Sequence, residues 1–257
     1  MARAVEAFHK RHPDRALEIN VTRHPYSFVG DRPAQPQKAG ELDGIGTEAS
    51  QLRTFADQMQ GRFPAATAAT TPAARRERMR PFLELGAAAG IEFELDVVAQ
   101  YQPVESQRLL LWAGRFGLQE EFMGALNRRH FERGESASAR ATLLRACADV
   151  GLDEGAAAAF LETDELERDV WSSYGETIRT SGIRSIPLFA FSVPALGAVG
   201  GPFRAAGRFE AYVVRGSSDA ATFSSLFELI LRDVEAGERV YDAPAFPFRR
   251  DEWWGRR

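Results

Sequence analysis

"SGIRSIPLFAF", Ser181 to Phe191, decides how this chain is read. Ile186 to Phe191 is an apolar run behind Gly182, which fits a buried strand. Pro187 stands at its head. A proline has no N–H for a ladder, so it is tolerated at a strand's first residue, on an edge or in a bulge. The Gly-Ile-Arg-Ser lead-in follows a helical pattern in which Leu166, Val170, Tyr174 and Ile178 recur every fourth residue. The chain therefore passes from helix to strand through this proline.

Upstream of that helix the pattern is helical back to about Pro81. Pro103 can open one helix, where its missing donor costs nothing, and Leu109, Trp112, Ala113 and Phe116 then fall on one face before Gly117. A second carries Met123, Leu126 and Phe131. A third puts Leu143, Cys147 and Val150 on one face with Gly151 just past its end. Asp164 followed by Glu167 has the spacing of a capping box. Downstream, Phe209 to Val214 reads as a strand. Phe223, Leu226, Phe227, Ile230, Leu231 and Val234 make the clearest amphipathic stripe in the chain, ended by Gly237.

At the amino end, Ala4, Val5 and Phe8 form a short apolar stripe that His12-Pro13 ends. Ala16 to Thr22 alternates Leu17, Ile19 and Val21 against Glu18, Asn20 and Thr22, the pattern of a half-buried strand. Arg23 to Gly46 has no period and reads as loop, and Ala65 to Ala74 is low in complexity. The order of helix, strand, helical block, two strands and helix fits an α/β domain with a helical insertion.

Composition narrows the function classes. The 257 residues are 44% hydrophobic and suit one large domain or two small ones. With a formal net charge of -4 and arginine interspersed among acids, no nucleic-acid interface is expected. No apolar stretch is long enough for a membrane span, and the first twenty residues lack an apolar signal core, so a cytoplasmic location is the expectation. The single cysteine, Cys147, excludes an intrachain disulfide and a thiolate cluster.

Candidate reactive groups are few. Cys147 shares its helix face with Leu143 and Val150 and reads as a small core hydrophobe. His9 and His12 are three apart, but only Asp14 stands near as a third ligand, so they read as solvated side chains and no metal is expected. Gly44-Ile45-Gly46 follows no strand and precedes no phosphate-loop lysine. Arg75 to Arg80, "RRERMR", reads as a charged helix start, and Trp253 and Trp254 in the tail are costly to leave exposed.

In order and spacing, "AGIEFELD", "RLLLWAGRFGLQEEFMGALNRRHFERGESAS", "LLRACADVGLDEGAAAAFLETDELERDV" and "SGIRSIPLFAF" resemble the DsbA-like branch of the thioredoxin superfamily. The FrnE-like oxidoreductases and the 2-hydroxychromene-2-carboxylate isomerases are the members most similar. "TRHPYSF", Thr22 to Phe28, resembles the segment after the family's second strand, and "VVRGSSDAATFSSLF" its last strand, glycine and helix. The resemblance implies a thioredoxin-like α/β fold with an inserted all-helical domain. It divides the chain into 1–48 and 183–237 as the thioredoxin-like parts, 49–182 as the insertion and 238–257 as a tail. It implies that Pro187 is cis and that Ser185, Ile186 and Pro187 bind substrate, Ile186 offering backbone groups to an extended peptide.

The same resemblance implies thiol-disulfide oxidoreduction on protein or peptide thiols, without a cofactor. That chemistry uses a Cys-x-x-Cys at the start of the first helix, where the thiol pKa is lowered. The stripe around Phe8 matches the later part of that helix. The first strand and the cysteine pair are thus expected to be missing from this chain, which has no catalytic residue of its own. Two alternatives stay open: a glutathione-dependent isomerase or transferase of the same fold, and a non-catalytic peptide binder.

Overall fold

The structure is a computed structural model describing residues 1–26, 52–54, 71–100, 104–179, 183, 186–193, 196, 204–205, 208–209 and 212–237. Ser185, Pro103, Gly44 to Gly46 and the tail with Trp253 and Trp254 lie outside the described residues. The chain forms two compact units. One joins Met1–Asn20 to Tyr174–Arg257, and the other is Val21–Ser173.

The first unit is built on a helix, α9 (Ala220–Ala236). Its start is set by Asp219, whose carboxylate accepts from the Thr222 amide at 2.8 Å, and its end by Gly237 at φ 71°, a left-handed position that glycine takes without penalty. Strand β3 (Leu188–Phe191) pairs antiparallel with β6 (Tyr212–Arg215), Leu188 opposite Arg215 and Phe191 opposite Tyr212. One face of this ladder packs on α9. Phe189 and Phe191 meet Phe223 edge-on at 5.2 and 6.3 Å, and Phe191 meets Phe227 at 6.0 Å. Helix α1 (Ala2–Arg11) lays Ala4 and Phe8 into the same cluster, with Phe8 6.4 Å from Phe227.

Two expected strands differ from their readings. Leu17 and Ile19 do pack on this cluster while Glu18 and Asn20 are exposed, so the alternation is real. Yet Ala16 to Thr22 forms no ladder among the described residues. Period two fixes which side chains face the core, but a strand also needs a neighbour for its backbone. The strand read at Phe209 to Val214 is split. Arg208–Phe209 (β5) pairs with Arg204–Ala205 (β4), and β6 begins at Tyr212.

The second unit is mainly helical: α2 (Pro72–Arg78), α3 (Arg80–Ala88), α4 (Val104–Gly114), α5 (Gln119–Arg133), α6 (Arg140–Asp149), α7 (Glu154–Leu161) and the start of α8 (Glu167–Arg179). A short ladder joins β1 (Leu52–Thr54) to β2 (Val98–Gln100). Leu109, Leu110, Phe122, Leu126, Leu143, Cys147 and Phe160 fill the core between α4 and α7. Phe116, read on the apolar face of α4, is 56% exposed and covers the edge of Trp112.

Buried Arg108 explains a further departure. A helix capped by Asp164 would start at Glu165, but Leu166 sits at φ 64° and α8 starts at Glu167. The Arg108 guanidinium donates to the carbonyls of Thr163 (2.6 Å) and Glu165 (2.8 Å), and to the Glu105 carboxylate at 2.7 Å. Those backbone acceptors are held outside the helix.

Candidate functional site

The sequence points to the start of β3, and the structure presents it plainly. Ile186 is 47% exposed although it opens an apolar strand, and Pro187 beside it is exposed too. The Ile186–Pro187 bond is cis. The Pro187 carbonyl accepts from the Gly216 amide at 2.8 Å, which extends the β3–β6 ladder by one bond. Gly216 makes this turn at φ 78°, where a side chain would be strained. Among the described residues, β6 is the one strand paired with β3. Phe189 and Phe191, locked against α9, fix the height of the strand below this opening.

A carboxylate is buried in the same unit. The Tyr212 hydroxyl donates to Asp233 at 2.8 Å, and Asp233 is 0% exposed. The sequence carries a signal for this pair: Leu226, Ile230 and Asp233 fall at i, i+4 and i+7 on the apolar stripe of α9, so an acid stands at a core position. Read for apolar residues alone, the stripe hides it.

The remaining candidates are structural. Cys147 lies in the second unit, on α6, at 0% exposure, and burial pushes its thiol up to about 12. It is not poised as a nucleophile. His9 of α1 and His12 just past its end are tied rather than simply solvated. His9 Nε2 accepts from the Leu17 amide at 3.3 Å, and His12 Nε2 contacts a Glu228 oxygen at 2.8 Å. No group of His, Cys, Asp and Glu among the described residues could hold a metal ion. No helix among them is long and apolar enough to cross a membrane. Arg75, Arg76 and Arg78 lie in the last turn of α2 rather than at a helix start, and only Arg80 opens α3; Arg75 pairs with Asp96 and Arg80 with Glu77 at 3.3 Å.

The geometry therefore offers an exposed, hydrogen-bonding strand start on a rigid apolar base, and no thiol beside it among the described residues. Such an edge can receive an extended chain through backbone bonds.

Comparison with known proteins agrees with this architecture. A probable DsbA oxidoreductase from Streptomyces coelicolor superposes with a TM-score of 0.53 at 17% sequence identity, covering 79% of this chain and 74% of that one. At that identity the match shows the fold, a thioredoxin-like α/β fold with a helical insertion. No curated protein matches. Residues 10–190, from the end of α1 through the helical unit to Pro187 and β3, match the DSBA-like thioredoxin domain, and the chain belongs to that family.

Proposed function

We propose that the protein works in thiol-disulfide exchange of the FrnE-like kind, and that Ser185, Ile186 and Pro187 form its substrate-binding edge. In this reading residues 49–182 are the inserted helical domain. A protein or peptide thiol or disulfide lies extended beside Ile186, held by backbone bonds. Ile186, a large apolar side chain left 47% exposed at the head of a strand, carries the reading. Membership of the DSBA-like thioredoxin family supports it.

These 257 residues supply the binding edge and not the dithiol, because one cysteine cannot form an intramolecular disulfide and Cys147 is buried. A Cys-x-x-Cys on a longer product would complete an oxidoreductase. A lone serine or cysteine there would indicate the glutathione-dependent alternative.

The test is a titration with an extended cysteine-containing peptide, and separately with glutathione, followed by the amide resonances of Leu188 to Phe191 and Gly216. The peptide is expected to shift these amides, and Ile186→Asp to weaken its binding about tenfold, roughly 1.4 kcal/mol. Shifts from glutathione alone would favour the isomerase reading. If neither probe moves the β3 amides, the binding edge is abandoned.

A further inference from the structure

The chain passes between the two compact units twice, after Asn20 and after Ser173. The second passage falls inside α8 (Glu167–Arg179), so the backbone there is continuous helix. The first passage leads into Val21 to Tyr26, which has no regular secondary structure. This stretch is nonetheless heavily held within the second unit. The Arg23 amide donates to Gln119 Oε1 at 2.7 Å, and the Gln119 amide nitrogen donates back to the Arg23 carbonyl at 3.2 Å. One buried side chain thus treats Arg23 as a neighbouring strand would. The Arg23 guanidinium grips Glu120 with two bonds, at 2.6 and 2.8 Å.

The third tie is the informative one. The Ser173 hydroxyl donates to the Pro25 carbonyl at 2.8 Å, joining residues 148 apart in sequence. Ser173 is the last residue of the second unit before the helical passage. Pro25 is buried, its ring fixes its own φ, and it restricts His24 before it. Within the second unit, residues far apart in sequence are therefore joined by a hydrogen bond between a stiff strap and a helix.

We infer that Thr22 to Tyr26 is a strap buttoned to α8 by Ser173 and to α5 by Gln119, which releases as a single step. Fastenings on one short, stiff segment cannot open independently, since freeing Pro25 strips Arg23 of the geometry Gln119 needs. Glu120 adds a salt-sensitive part. Its pair with Arg23 is exposed and is screened by added electrolyte, whereas the Gln119 and Ser173 bonds are not ionic. Ser173, Gln119 and Glu120 are positioning residues for the strap within the second unit.

Arg23 makes the strap measurable, because trypsin cuts after arginine when a segment opens. Cleavage at Arg23–His24, followed by mass spectrometry in the regime where opening and closing are fast, reads the population of the released strap. Ser173→Ala and Gln119→Ala are each expected to raise that rate several-fold to about tenfold, the range of one lost hydrogen bond. The double variant should multiply the two single effects, because one opening breaks both ties and their free energies add. Glu120→Gln should raise the rate at low salt and abolish its salt dependence. Ser173→Thr, which keeps the hydroxyl, should restore the parent rate, and thermal midpoints separate strap release from global unfolding. A double variant no faster than the faster single variant would overturn the single-step release. An unchanged rate in Ser173→Ala, or a rise that only tracks a lowered midpoint, would overturn the button.

Discussion

Arg108 shows what a single residue decides in this molecule. It is 1% exposed, yet its charge is met by Glu105 and its remaining donors by backbone carbonyls, and its plane lies 4.9 Å from the Phe160 ring centre. Burial raises the Glu105 carboxyl above its usual range, against the lowering effect of Arg108. Removing one member of a buried pair leaves the other uncompensated, which costs about 3–5 kcal/mol. Arg108→Met is therefore expected to lower the thermal midpoint sharply, and the double change with Glu105→Met to recover much of the loss. Lysine should be a poor substitute, since a point charge lacks the planar fork that reaches separate acceptors. Cys147 makes the opposite case, a reactive group silenced by its surroundings. With its thiol pushed up to about 12, it should react with a thiol reagent at pH 8 at least about a hundredfold more slowly than an exposed cysteine, and at the same rate as the exposed one only after denaturation.

At the scale of elements, α4, α5, α6 and α9 are legible because their apolar residues recur at helical spacing, and α9 is also capped at both ends, by Asp219 and Gly237. Gly237 ends α9 where the stripe stops, and Cys147 is buried where its helix face put it. Pro187's place at the strand head is legible in the sequence, whereas the substrate-binding role of Ile186 and Pro187 comes from the family resemblance and is a proposal, and Ser185 lies outside the described residues. What sequence patterning misses are partners distant along the chain. Nothing near Glu165 announces that Arg108 will take its carbonyl, and nothing near Leu17 tells whether a neighbouring strand will pair with it. The Tyr212–Asp233 bond belongs to the same class, and it joins β6 to α9. Tyr212→Phe should cost about 1–3 kcal/mol by leaving a buried carboxylate short of a donor, measured by denaturant unfolding. Tyr212→Phe combined with Asp233→Leu should be less harmful than the single change.

For the molecule as a whole, acid stability is set by acids of opposite sign. The Arg129 hydrogen bond lowers Asp149 from its ordinary 3.8. Burial pushes Glu135 up, but its bonds from Arg145 and Arg129 outweigh that and leave it below 4.5. Both favour the ionised form in the folded state, so their stabilisation is complete above those values and is lost as pH falls through the folded ones. Glu105 runs the other way. Raised by burial, it contributes below 4.5 and loses that contribution as pH climbs through its folded value. Asp149→Asn should therefore flatten the acid limb of a stability profile, and Glu105→Gln should remove a decline above it. A catalytic expectation belongs at this scale as well: the 257-residue chain should show no dithiol turnover of a protein disulfide, because it has one cysteine and that one is buried.

The first unit closes through contacts of α1 and the residues just after it, near the start of the chain, with α9, near its end: Arg11 with Glu228 at 2.8 Å, Arg15 with Glu235 at 2.7 Å, and Phe8 against Phe227. During synthesis this has a cost in time. Ribosomes add about 5–20 residues per second, so the apolar face of α1 waits roughly 10–50 s for α9 to emerge. The second unit can fold on the ribosome in that interval, while Ala4 and Phe8 remain open to chaperones and proteases. Nascent chains stalled before Ala220 should be cut readily within α1, and chains stalled once α9 has cleared the exit tunnel should resist.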